Sequence, residues 1–217
     1  MTNHNIDYDR EKRIGFPEVV YGASKSKEDL LSILEQFALK DKNVLVTKLQ
    51  HNKASVIIKK YPNAMYDAVS GIFMLNAIPA LNLKREVGII SAGTSDIHVV
   101  NEVYYTLGYM GVASKRITDV GVAGIHRLLS KVEELKTFKV LIVIAGFEGA
   151  LPTVIGGLLP QPIIAIPADV GYGVAAGGHV ALNAMLSSCA NGISVVNINN
   201  GYGAAMSALR ILNLINK

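Results

Sequence analysis

The chain has no tryptophan and a single cysteine, Cys189, and only 18% of its 217 residues are charged. One thiol cannot close an intrachain disulfide, and the polar opening Met1 to Asp9 lacks the charged-then-apolar pattern of a secretory signal, so a reducing, cytoplasmic setting is expected. No run of five basic residues occurs and no aromatics alternate with basic ones, so nucleic acid is not an expected partner despite a formal charge of +4. The basic excess lies mainly before Glu86, where it suits small anionic metabolites. The stretch from Gly149 to Ala168 carries no charge, but Pro152, Pro160, Pro162 and Pro167 interrupt it, so it reads as helix, turn and buried strand rather than a membrane span. Five scattered histidines and Cys189 show no metal-ligand spacing, so no metal site is expected.

Half of the residues are hydrophobic, enough for a sizeable core. In the first third, Gly15 and Pro17 predict a turn followed by a short strand. Ser26 is placed to cap a helix over 27–40, with Asp29 in the capping-box position and Leu30, Leu31, Leu34 and Phe37 on one face. Residues 44–49 and 55–59 read as a strand pair, and this small α+β region closes near Leu83. From Lys84 the chain repeats apolar strand, glycine-rich turn and helix. Strands are predicted over 87–92, 112–117, 139–145, 163–167 and 193–198, and helices over 96–107, 122–134, 151–158, 178–187 and 202–215. Runs such as Val140-Leu141-Ile142-Val143-Ile144 lack alternation, as strands covered on both faces do. The expected fold class is α/β, a three-layer, doubly wound parallel sheet. Val170 to Leu209 contains no Asp, Glu, Lys or Arg although two helices fall within it, which predicts burial against other subunits of a homo-oligomer.

Ligands of such a sheet sit beyond the carboxyl ends of its strands. The first strand leads into Gly93-Thr94-Ser95-Asp96, whose amides and hydroxyls suit a phosphate and whose carboxylate suits ribose hydroxyls; simple helix capping is the alternative. After the second come Asp119, His126 and Arg127, a group suited to gripping a carboxylate, or a cap followed by solvated helix residues. After the third, Glu148 is the only charge between Val140 and Ala168, flanked by Gly146 and Gly149; a desolvated carboxylate there suits proton transfer, and an ordinary helix-start glutamate is the alternative. Gly171, Gly173, Asn200 and Gly201 follow the last two strands, where glycine-rich turns present amides to anions but carry little specificity. Cys189 is either a buried small hydrophobe or a nucleophile.

Residues 86 to 212 resemble aminoimidazole ribonucleotide carboxylases of the PurE type, through Gly93 to Asp96, Gly124-Ile125-His126-Arg127, Ala145-Gly146 with Ala150-Leu151-Pro152, and Ile163 to Pro167. Glu148 stands where those enzymes have glycine, and Cys189 has no counterpart there. Nearly the whole chain resembles the LarB family, the pyridinium-3,5-biscarboxylate mononucleotide synthases of nickel-pincer cofactor synthesis. The resemblance is carried by Arg10-x-x-Arg13-x-Gly15-Phe16-Pro17-Glu18, Ala145-Gly146-Phe147-Glu148-Gly149-Ala150-Leu151-Pro152, Val170-Gly171-Tyr172-Gly173, Ser188-Cys189-Ala190 and Val196 to Ala204. It implies a PurE-like C-terminal domain and an octamer. It also implies carboxylation of nicotinic acid adenine dinucleotide by carbon dioxide or bicarbonate, with release of AMP and no tightly bound cofactor; whether magnesium assists is left open. On this resemblance Cys189 is the expected nucleophile, Glu148 the base and His126 with Arg127 the carbon dioxide site. Ser95 and Asp96 are expected to hold the nucleotide, and Arg10, Arg13 and Lys25 to reach its adenylate half. Aminoimidazole ribonucleotide carboxylase or mutase activity is the alternative.

Overall fold

The computed structural model describes residues 4–76 and 86–216. Its contacts divide the chain into two compact units, Met1–Pro79 and Ala80–Lys217. The boundary expected at Leu83 and Lys84 lies outside the described residues.

In the first unit a short helix α1 (Arg10–Ile14) stops at Gly15, whose φ of 80° is the left-handed end that glycine adopts without strain. The strands are β1 (Val19–Tyr21), β2 (Val44–Thr47), β3 (Met65–Asp67) and β4 (Ile72–Leu75), and the helices are α2 (Lys27–Leu39) and α3 (His51–Lys60). They form a sheet of order β1-β2-β4-β3 with β1 and β2 parallel and the other pairs antiparallel. Ser26 caps α2 as expected, its Oγ accepting from the Asp29 amide at 3.0 Å. Leu30, Leu34 and Phe37 of α2 then pack with Ile57 of α3 on Val44, Val46 and Phe73.

One expectation fails here. Residues 55–59 form the second half of α3, not a strand. Val56, Ile57 and Ile58 are β-branched, but only Ala54 and Ile57 are buried, the i, i+3 spacing of a helix lying on a sheet. Packing along that stripe overrides local propensity.

The second unit is the doubly wound sandwich. Five parallel strands, β5 (Val87–Ser91), β6 (Ser114–Ile117), β7 (Val140–Ala145), β8 (Ile163–Pro167) and β9 (Ile193–Val195), lie in the order β6-β5-β7-β8-β9. Strands β5, β7 and β8 are buried at every position, as their unbroken apolar runs require. The crossover helices are α4 (Ile97–Tyr109), α5 (Ile125–Leu129) with α6 (Val132–Leu135), α7 (Leu151–Leu158) and α8 (His179–Leu186), and α9 (Gly201–Ile215) closes the chain. The helix expected over 122–134 is broken into a 3-10 turn and two short pieces, with Ser130 and Lys131 between them. Leu128 and Leu135 anchor those pieces in the core beside Phe138.

The order of these strands creates the site. The chain moves outward from β5 to β6, then returns to the other side of β5 for β7, so the connections leaving β5 and β7 diverge and open a crevice at the carboxyl edge.

Candidate functional site

A cleft of about 360 Å³ lies at this crossover point. Its walls are Ala92, Gly93, Ser95 and Asp96 after β5, Gly121, Val122, Ala123 and Arg127 after β6, Ala145 to Glu148 with Ala150 and Leu151 after β7, and Val170 after β8. Backbone hydrogen bonds lace these connections together: Val120 donates to the Ser91 carbonyl at 3.1 Å, Ala92 to Ile144 at 3.0 Å, and Phe147 to Val170 at 2.8 Å. The cleft is therefore held open by the sheet edge itself and costs little to organise when a ligand enters.

Two glycines make that lacing possible. A Cβ on Gly146 would lie 2.3 Å from the Val170 carbonyl oxygen, and one on Gly121 would lie 2.8 Å from that of Ala92. Three non-glycine residues at the exits of strands, Asp119, Phe147 and Asn199, have φ between 50° and 61°. Such left-handed conformations at bulky residues cost of order 1 kcal/mol each and collect where a site demands them.

Asp96 is the most buried of the charged residues that line the cleft, with 2% of its surface exposed. Its Oδ2 accepts from the Gly93 amide at 2.9 Å, which folds the loop over on itself, while its buried Oδ1 has no partner. Burial pushes this carboxyl above the usual aspartate range; the Gly93 hydrogen bond and nearby His98 act in the opposite sense. Asp96 makes no side-chain cap bond to α4, but its carboxylate accepts from the Gly93 amide at the start of the 3-10 turn Thr94–Asp96, so it does cap the turn that leads into that helix.

Across the cleft, Arg127 is fixed by Asp119, whose Oδ2 lies 2.7 Å from Nη1. The guanidinium lies over Gly124, where a Cβ would meet Nε at 2.6 Å. This pair leaves part of the guanidinium fork facing the cleft to receive a carboxylate or phosphate oxygen. Glu148 lines the same cleft, but it is exposed in the single chain, so the burial expected from its apolar sequence surroundings is not reached.

The cleft thus gathers Gly93, Ser95, Asp96, Arg127, Gly146 and Glu148 from the residues that the sequence singled out, with Asp119 behind Arg127. Thr94 and His126 are exposed beside it and are not among its lining residues. Gly149 is structural, its missing side chain admitting the Ala181 carbonyl that a Cβ would approach to 2.8 Å. Gly171 and Gly173 shape the turn after β8 through φ values of 156° and 58°. Asn200 caps α9 by accepting from the Gly203 amide at 2.8 Å, and the Gly201 amide donates to buried Glu102 at 3.1 Å. Arg10, Arg13 and Lys25 belong to the first unit, where Arg13 forms a two-pronged pair with Asp7 at 2.7 and 2.9 Å.

Cys189 is exposed and lies on the connection that enters β9, not on one that leaves a strand; it does not line the cleft. Its neighbour Ser188 is held to Thr153 of α7 through their hydroxyls at 2.7 Å.

Some residues of this edge escaped the sequence reading. Phe147 stacks edge-on against Tyr172 with ring centres 5.6 Å apart, a largely exposed aromatic rim over the cleft. His98 Nδ1 is 3.2 Å from the Ser95 carbonyl, and its Nε2 is 3.7 Å from Asp169. The position of His98, two residues beyond Asp96, was the available signal. Among the described residues no three His, Cys, Asp or Glu side chains converge to hold a metal ion, and no helix is long and apolar enough to cross a membrane.

Residues 1–77 match the LarB/PurE-like N-terminal domain and residues 86–217 match AIR carboxylase. An uncharacterized protein of Methanocaldococcus jannaschii is 37% identical over 220 residues, 98% of this chain and 85% of that protein. The N5-carboxyaminoimidazole ribonucleotide mutase of the same organism is 37% identical over 133 residues, 58% of this chain and 78% of the mutase. The crystal structure of Treponema denticola PurE superimposes with a TM-score of 0.51 at 23% identity, covering 60% of this chain and 82% of that one.

Proposed function

Because this chain belongs to the LarB family, with a LarB/PurE-like N-terminal domain followed by an AIR carboxylase domain, we propose that it carboxylates the pyridinium ring of nicotinic acid adenine dinucleotide at carbon five. The products are pyridinium-3,5-biscarboxylic acid mononucleotide, a precursor of a nickel-pincer cofactor, and AMP from hydrolysis of the phosphoanhydride. The protein acts in the cytoplasm as a homo-oligomer, with no tightly bound cofactor.

The observation that carries this reading is the convergence, in the lining of one cleft, of an Asp119-anchored guanidinium, the Glu148 carboxylate and the buried Asp96 carboxyl. A pyridinium ring is electron-poor and does not attack carbon dioxide, so a nucleophile must first add to it. The Cys189 thiolate adds at carbon four, its sulfur–carbon bond forming as a ring π pair moves onto nitrogen. The resulting enamine attacks carbon dioxide from carbon five, beside Arg127, which neutralises the new carboxylate, while His126 stands outside the cleft lining. Glu148 takes the proton from carbon five, and expulsion of the thiolate restores the aromatic ring. Ser95 and Asp96 bind the ribose and phosphate of the mononucleotide half.

The test is incubation with nicotinic acid adenine dinucleotide and labelled bicarbonate, followed by mass spectrometry, with Cys189→Ala alongside. Doubly carboxylated mononucleotide plus AMP from the wild type alone supports the reading. Turnover of aminoimidazole ribonucleotide instead, undiminished in Cys189→Ala, would move the protein to the mutase branch of its relatives.

A further inference from the structure

We infer that His98 is a positioning residue of the cleft, whose protonated ring ties the Gly93–Asp96 turn to Asp169 beyond β8 and so fixes the turn that receives the nucleotide phosphate. The inference rests on the reading of Ser95 and Asp96 as the groups that hold the mononucleotide half. Three observations lead to it.

The first is what the ring meets. His98 stands in the first turn of α4, with Nδ1 3.2 Å from the Ser95 carbonyl oxygen and Nε2 3.7 Å from Asp169 Oδ1. A carbonyl only accepts, so Nδ1 carries a hydrogen. The neutral ring then turns the lone pair of Nε2 towards a carboxylate, whereas the protonated ring turns an N–H towards it. Both ends of the ring are served only in the cationic form.

The second is what the ring joins. Ser95, on the connection leaving β5, and Val170, next to Asp169 on the connection leaving β8, both line the cleft. In the sheet β7 lies between β5 and β8, so no ladder hydrogen bond can link these two exits, and the His98–Asp169 contact spans the gap. Its far end is anchored, since the Asp169 amide donates to Asn199 Oδ1 at 3.1 Å and the Asn199 amide donates to the Pro167 carbonyl at 2.9 Å. Neither His98 nor Asp169 is among the lining residues, so the pair acts on a ligand through Ser95 and Asp96.

The third is charge. Two acids face this imidazole: Asp169, and Asp96, whose carboxyl the His98 charge draws down against the effect of burial. Among the described residues no Lys or Arg forms an ion pair with either. Glu102, one turn further along α4, is turned to the Gly201 amide at 3.1 Å, and Asn199, beyond β9, is neutral. The dipole of α4 opposes a cation in its first turn, and the two acids act in the opposite sense. A phosphate entering beside two acids gains from a cation held behind the turn.

Two measurements on the full chain test this. Unfolding by denaturant is compared for wild type, His98→Asn, Asp169→Asn and the double variant at about pH 5.5 and about pH 8.5, on either side of ordinary imidazole titration. Asparagine keeps a donor at the Nδ1 position but cannot reach Asp169 as a cation. Coupling between the two positions at the lower pH that disappears at the higher one is expected; no coupling at either, or equal coupling at both, overturns the tie. Calorimetric titration with nicotinic acid mononucleotide then reads positioning. Wild type should bind about two- to fivefold more tightly than His98→Asn at pH 5.5 and equally at pH 8.5, the size expected of a partly exposed pair, 31% and 51% accessible. Taking the ratio at one pH cancels the ionisation of the phosphate itself. His98→Gln, whose amide nitrogen falls at the Nε2 position, should recover part of the affinity without the pH dependence. A ratio that stays constant with pH reduces His98 to a structural residue and leaves the proposed reaction untouched. Wild type that binds no mononucleotide at either pH overturns both the positioning role and the reading of Ser95 and Asp96, whatever the unfolding cycle shows.

Discussion

Replacing Asp96 with asparagine should stabilise the protein and inactivate it at once. The wild-type carboxylate is 2% exposed, accepts a single hydrogen bond from the Gly93 amide and leaves its other oxygen buried without a partner. Asparagine retains an oxygen for Gly93 and removes the buried charge, so the gain is the desolvation cost of the carboxylate less that of a neutral amide, about 1–2 kcal/mol. For a chain of this length that raises Tm by roughly 2–8 °C at neutral pH. The sign with pH follows from the direction of the shift. A carboxyl raised above its ordinary value of 3.8 contributes its full stability below that value and loses it as pH rises through the higher folded value. The gap between variant and wild type should therefore be widest near pH 7 and close towards pH 4. Thermal denaturation of both proteins across this range is the assay, with turnover measured in parallel and expected to fall tenfold or more, on the order of a lost charged contact. A variant no more stable than wild type at pH 7, or a gap unchanged at pH 4, would refute the reasoning.

Gly146→Ala should abolish turnover and lower Tm, because the added Cβ meets the Val170 carbonyl at 2.3 Å and main chain cannot rotate away; overpacking of this kind costs about 1–3 kcal/mol, read by denaturant titration. Arg127→Ala should leave stability within about 1 kcal/mol, since its pair with Asp119 is 39% and 52% exposed, while KM rises by roughly ten- to a hundredfold in steady-state assays. Asn200→Ala removes the cap of α9 and should cost about 1 kcal/mol in chemical denaturation.

The turns at Gly93, Gly121 and Gly146 show how much of the site could be read in advance. Gly93 and Gly146 follow the apolar, fully buried strands β5 and β7, and Gly121 follows the more polar β6; ligands of such sheets gather at strand exits, so Ser95, Asp96, Arg127 and Glu148 were recognisable as neighbours despite wide separations in sequence. The state of each was not recognisable. Glu148 and Asp96 are both acids just beyond strands, yet one is exposed and the other buried. The difference arises because the turn at Asp96 bends back until its carboxylate meets the Gly93 amide, whereas Phe147, with φ 50°, turns Glu148 outward.

The same division holds for the whole chain. The sequence by itself determined the α/β class, the five strands of the second unit, the cap at Ser26 and the uncharged surface from Val170 to Leu209, because these depend on periodicity and local chemistry. Only the tertiary structure decided that residues 55–59 belong to a helix, that the β6-β5-β7-β8-β9 order opens the cleft beside β5, and that Cys189 stands on a different connection from the acids it was expected to join. Strand order and burial arise from contacts between residues far apart in the chain, and no local pattern encodes which connection ends beside which.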